Sequence, residues 1–161
     1  MNALIIYHTV SGHTKRAAED IAEGMAGESV SAQLLAAGEV AQWDVADKDI
    51  VVVGSPCHAG SLAIRSGISG PILSVLKKLQ TATLTGMIGG AFAVHSAYGA
   101  QRTVNGIEKR LRAAGADVST PGILVKAGVP FSIVTGPMAA EQSRDELRSF
   151  GRTLAQAAKA R

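Results

Sequence analysis

The chain has 161 residues, the size of one domain with one core, and is expected to fold as a single domain over 1–161. Apolar residues make up 47% and charged residues 18%, which excludes a disordered chain, and the apolar runs stop well short of the roughly 20 residues that span a bilayer. A net charge of +3 divides unevenly, with six basic and eight acidic side chains in residues 1–80 and ten and five in 81–161.

The run Ala3 to Tyr7 is short, bulky and apolar, and predicts a strand buried on both faces. From Thr14 onward Ala17, Ala18, Ile21, Ala22 and Met25 share one helical face, with Gly24 and Gly27 marking the end of the pattern. Ser29–Leu35 alternates, with Val30, Ala32 and Leu34 on one side, as an edge strand does; a segment through Trp43 without a clear period follows. Asp49–Gly54 is the clearest central strand, and Gly54 is expected to let the chain turn into a loop over 55–67. Residues 69–79 predict a helix with Ile72, Val75, Leu76 and Leu79 inward, and Met87–His95 a glycine-tolerant strand. Ala100–Ala114 spaces Val104, Ile107, Leu111 and Ala114 by threes and fours as a helix does, and Val118–Val125 predicts a strand interrupted by Pro121. The last helix runs from about Ala139, with Pro137 near its first turn and Leu147, Phe150 and Leu154 inside.

Strands alternating with helices over short connections imply an α/β fold. Right-handed crossovers then give a five-stranded parallel sheet, order 2-1-3-4-5, with helices on both faces. Ligands in such sheets bind beyond the carboxyl ends of the strands, at the switch point between strands 1 and 3, so the chemistry belongs to loops 8–14, 55–67 and 95–101.

The first of these reads His8, Thr9, Val10, Ser11, Gly12, His13, Thr14, and brings three hydroxyls and the free N–H groups of a helix start to one point, which makes an anion site. The helix dipole favours negative charge there, Gly12 allows close backbone approach, and Lys15 and Arg16 add positive potential. The plainer alternative is that Thr9 or Ser11 only caps the helix.

Thr9 to Thr14 resembles the phosphate-binding loop of flavodoxins, a Thr/Ser-x-Thr/Ser-Gly-x-Thr pattern that holds the phosphate of FMN. Ser55, Pro56, Cys57, His58, Ala59 and Gly60 resemble the second flavin loop of that superfamily. Ser96, Ala97, Tyr98 and Gly99, preceded by His95 and followed by a helix, resemble the third. The stretch from Ala91 to Ala155, with Val129, Pro130 and Phe150 to Arg152, is most similar to the flavodoxin domain of flavodiiron proteins. The resemblance implies a flavodoxin-like fold with FMN held by these three loops, and no catalytic residue or metal ligand of the chain's own. The second loop has no aromatic residue and Tyr98 is followed by Gly99 and Ala100, so flavin stacking falls mainly to Tyr98.

The implied activity is electron transfer between redox proteins. An FMN-dependent NAD(P)H:quinone oxidoreductase is the alternative, from the Pro56-x-x-x-Gly60 spacing, and a module that binds no flavin is a third. Such reductases are longer, so length favours the carrier; a basic carrier then calls for redox partners that are acidic at the docking face. With 4% aromatic residues and no dense Lys/Arg cluster no nucleic-acid partner is expected, nor is a membrane; the oligomeric state is left open.

Other chemistries fit less well. Cys57 and Arg65 are separated by seven residues, where a low-molecular-weight phosphatase loop has five; a response regulator needs carboxylates where His8 and Ser55 stand; and no G-x-G-x-x-G follows the first strand. His8, His13, His58 and His95 all fall in the predicted carboxyl-edge loops without metal-site spacing. They are either polar loop residues around a ligand or groups that favour the anionic reduced form of a flavin. Cys57, the only cysteine, is a small apolar loop residue or a redox-sensitive thiol, and with one cysteine and no signal-peptide pattern the expected compartment is the cytoplasm.

Overall fold

The computed structural model describes residues 1–57, 67–95, 99–126 and 137–161. Five strands, β1 (Asn2–Tyr7), β2 (Ser31–Ala36), β3 (Ile50–Pro56), β4 (Ile88–His95) and β5 (Ile123–Lys126), form one parallel sheet in the order β2-β1-β3-β4-β5. The helices are α1 (His13–Ala26), α2 (Gly70–Thr81), α3 (Ala100–Ala113) and α4 (Pro137–Lys159), and a 3₁₀ turn (Gln42–Val45) lies between β2 and β3. This is the expected architecture.

The period of two along the strands sorts side chains to the two faces. Leu4, Ile6, Val51 and Val53 pack with Ile72 and Leu76 of α2 and Val104, Ile107 and Leu111 of α3. Ala3, Ile5, Val52 and Phe92 pack on the other side with Ile21 and Met25 of α1 and Leu147, Phe150 and Leu154 of α4. Each face thus buries the stripe of two helices, and the connections that leave the carboxyl ends of the strands are left to form the site.

Three expectations are corrected. Gly24 does not end α1 but lies within it, where α1 crosses α4: a Cβ there would meet the Arg148 carbonyl oxygen at 2.0 Å, and one on Gly151 would meet that of Ile21 at 2.2 Å. Gly54 is not a turn either, since β3 continues to Pro56; its missing side chain makes room for the Phe92 ring, 2.0 Å from where its Cβ would be. Of the strand expected over 118–125 with an interruption at Pro121, the part before that proline, which has no N–H to give a ladder, is not strand at all. Asp117 makes an isolated bridge to Ile88, and β5 begins only at Ile123.

Candidate functional site

Tyr7 ends β1, and His8 is held by its N–H to the Gly54 carbonyl of the neighbouring strand at 3.3 Å. Thr9 Oγ1 accepts the Gly12 N–H at 2.9 Å, which closes the loop into a tight turn. Gly12 is the N-cap of α1 at φ +85°, the left-handed region that favours glycine, and the space where its Cβ would lie is open. The first rung of the helix is Arg16 N–H to Gly12 O at 3.1 Å. The N–H groups of His13, Thr14 and Lys15 precede that rung, and no side chain among the described residues caps them. Thr9 is therefore spent on the loop's own turn and not on capping the helix, so the capping alternative does not describe α1. Val10 stands 78% exposed and Ser11 is exposed, whereas Thr14 is buried at 2%.

The second loop leaves β3 at Pro56. Ser55, expected among the flavin-loop contacts, is fully buried; its hydroxyl accepts the Ser69 N–H at 3.0 Å and donates to the Pro56 carbonyl at 2.9 Å. That oxygen ties the end of β3 to the residue before α2, so Ser55 anchors the two ends of the connection. Cys57 donates its N–H to Val94 O at 2.8 Å, and its half-buried side chain packs against the core. His58, Ala59 and Gly60 lie outside the described residues.

The third loop leaves β4 at His95, which is half-buried and lies in register with Lys126 at the end of β5. Ser96, Ala97 and Tyr98 lie outside the described residues, as do Val129 and Pro130. Gly99 is the N-cap of α3 at φ +92°, again without a side-chain cap. The second and third loops meet at Gly67 (φ +69°): a Cβ there would lie 2.6 Å from Thr103 Oγ1 and within 3.9 Å of Gly99 O and Cys57 Sγ. Two left-handed glycines thus start the helices on opposite sides of one edge. The first turns of α1, α2 and α3 carry no acidic residue.

Sequence reasoning did not single out Lys126, Gly67 or Ser69. Gly67 carried a readable signal, a glycine three residues before a helix. Lys126 carried none, because its neighbour His95 is 31 positions away and only the β4–β5 register joins them.

The strand order and the helices on both faces define a flavodoxin-like fold. A flavodoxin domain model matches residues 4–66, from β1 through the second loop. A flavodoxin from the domain Archaea superposes with a TM-score of 0.79 at 20% identity, over 99% of both chains. A short-chain flavodoxin associated with a bacterial microcompartment gives 0.79 at 18% identity, over 98% of this chain and 99% of that one. The rubredoxin oxygen:oxidoreductase of Desulfovibrio gigas gives 0.78 at 22% identity, and there this chain, covered to 99%, spans 36% of the larger protein. No curated protein sequence matches at a significant level. The flavodiiron protein from Giardia intestinalis gives 0.77 at 20% identity, over 99% of this chain and 36% of that one, so flavodoxins and a flavodiiron protein, the two groups named by the sequence resemblance, are both among the structural matches. No helix of the described residues is long and apolar enough to cross a membrane.

Proposed function

We propose that the chain binds FMN at the carboxyl edge of the sheet and carries electrons between redox proteins. The observation that carries this reading is the start of α1, where three N–H groups have no side-chain cap among the described residues and no described residue fills the space over Gly12. A phosphate dianion fits such a site on charge and on donor geometry, since the helix dipole and the free N–H groups act together.

Ser11 and Thr14 would supply hydroxyl donors beside those N–H groups, with Lys15 and Arg16 adding positive potential from the first turn of α1. Pro56 to Gly60 and His95 to Gly99 would flank the ring, with Tyr98 on its face; Ser55 would act beneath them by holding the second connection in place. Bound FMN supplies the redox chemistry, and the chain contributes orientation and electrostatics. With no carboxylate in the first turns around the site, the local field would favour an electron-rich ligand. A cytoplasmic setting accords with a single free cysteine.

Expression of the full chain, followed by extraction of any bound flavin and its separation by chromatography, tests the cofactor. FMN in a stoichiometric amount is expected; FAD or a dinucleotide refutes the assignment. NAD(P)H oxidation with a quinone separates the two activities. A carrier turns over only when a reductase protein is supplied, whereas direct NAD(P)H oxidation would establish the quinone reductase instead.

A further inference from the structure

Deepening the carrier reading, on which it rests, we propose that the carboxyl edge of the sheet is a cationic docking face for an acidic protein. Arg16 in the first turn of α1, Arg102 in the first turn of α3 and Lys126 at the end of β5 are all exposed, and none makes an ion pair among the described residues. Elsewhere Arg144 pairs with Asp20, Arg148 with Glu23 and Asp145, Lys159 with Glu28 and Arg112 with Glu108, while basic side chains without an ion pair among the described residues, such as Lys77, Lys109 and Arg152, are dispersed over α2, α3 and α4. The stretches 8–12, 55–69, 95–99 and 127–136 contain no Asp or Glu; exposed Glu39 follows the carboxyl end of β2, at the opposite border of the sheet from β5. Three unpaired positive charges thus gather along the carboxyl edge between α1 and β5.

The spacing of these charges selects a protein over a small anion. α1 and α3 cover opposite faces of the sheet, and β5 lies three inter-strand steps from β1, roughly 14 Å. A nucleotide phosphate is held by donors converging on one point. Three charges spread over that distance match instead a protein contact of about 800 Å² per partner. Exposed Val10, on the loop beside Arg16, adds an apolar side chain to the same edge, as interfaces combine apolar contact with a charged rim. Acidic side chains on the partner would steer encounter and fix which face approaches the flavin site.

The test uses a purified acidic plant-type ferredoxin as the probe and a basic c-type cytochrome as its opposite, with affinity measured by calorimetry on the full chain, with and without added FMN. Binding to the ferredoxin should weaken as ionic strength rises from about 0.01 to about 0.15 M, where the screening length falls from about 30 to about 8 Å, and the cytochrome should not bind. The triple variant Arg16→Glu, Arg102→Glu, Lys126→Glu should lose about tenfold or more in affinity. A control of equal charge change, Lys77→Glu, Lys109→Glu, Arg152→Glu, should lose much less. Equal losses in the two triples would mean that net charge alone acts, and absent ferredoxin binding, or preference for the cytochrome, would overturn the docking face. Because affinity is read without flavin as well, failure to bind FMN refutes the carrier and leaves the docking result to be judged separately.

Discussion

Replacing Gly24 by Ala sets two effects of opposite sign against each other. In a solvent-exposed helix the change would stabilise by about 1 kcal/mol, because glycine loses more backbone freedom on folding. Here the added Cβ would lie 2.0 Å from the Arg148 carbonyl oxygen and 2.7 and 2.8 Å from that residue's C and Cα. Those are backbone atoms of α4, which cannot rotate aside, so α1 and α4 must separate by more than an ångström to restore ordinary contact. The separation would loosen Ile21 and Met25 from Leu147 and Phe150, and stretch the ion pairs Asp20 to Arg144 at 3.2 Å and Glu23 to Arg148 at 2.9 Å. Overpacking of this kind costs up to about 3 kcal/mol, and after the helix-propensity gain a net loss of about 2 kcal/mol is expected. For a chain of this length that is a fall in Tm of about 4–8 °C. Urea unfolding followed by far-ultraviolet circular dichroism measures it. A variant as stable as the parent, or more stable, would refute close α1–α4 packing and return Gly24 to the helix end where its sequence position suggested it belonged.

Ser55→Ala should destabilise by about 1–3 kcal/mol, because the Ser69 N–H is then left buried without its acceptor; equilibrium unfolding checks this, and an unchanged midpoint would free Ser55 from the anchoring role. Ser11→Ala with Thr14→Ala should weaken FMN binding by about 1–3 kcal/mol in a fluorescence-quenching titration while leaving the fold intact, and an unchanged affinity would remove the phosphate site from this loop. Hydrogen bonds from Lys159 and Gln156 hold the Glu28 carboxyl below its ordinary value. The stability it contributes is therefore present above the ordinary carboxylate range and is lost as pH falls through the lowered value. Its exposure keeps the contribution small. Amide protection factors at the end of α4, with the intrinsic pH dependence divided out, should fall on acidification in the parent but not in Glu28→Gln, and identical profiles would discard the linkage.

The fold was legible because its signals are local. Bulky runs such as Ile50 to Val53 and helical faces such as Val104, Ile107 and Leu111 report burial through residues near one another in sequence. Gly24 and Gly54 were misread for the opposite reason: each makes room for an atom of a distant element, α4 or Phe92, and sequence alone shows a glycine without showing what approaches it. The loop around Gly12 could be read because its hydroxyls, its glycine and the helix it starts are contiguous. Ser55 looked the same as Ser11 in sequence, yet the one lies beneath the second connection, bonded to Ser69, and the other lies in the open. The His95 and Lys126 neighbourhood depends on strand register, which the split at Pro121 displaced from the expected strand.

The central claim is that the start of α1 holds the phosphate of FMN, and the direct measurement is a paired titration of the flavin-free chain with FMN and with riboflavin, which differ only in that phosphate. FMN should bind one per chain and more tightly than riboflavin by about 2–3 kcal/mol, or roughly 30–150-fold, with the difference removed in the Ser11→Ala, Thr14→Ala variant. Equal affinities for the two flavins, or binding of neither, would contradict it.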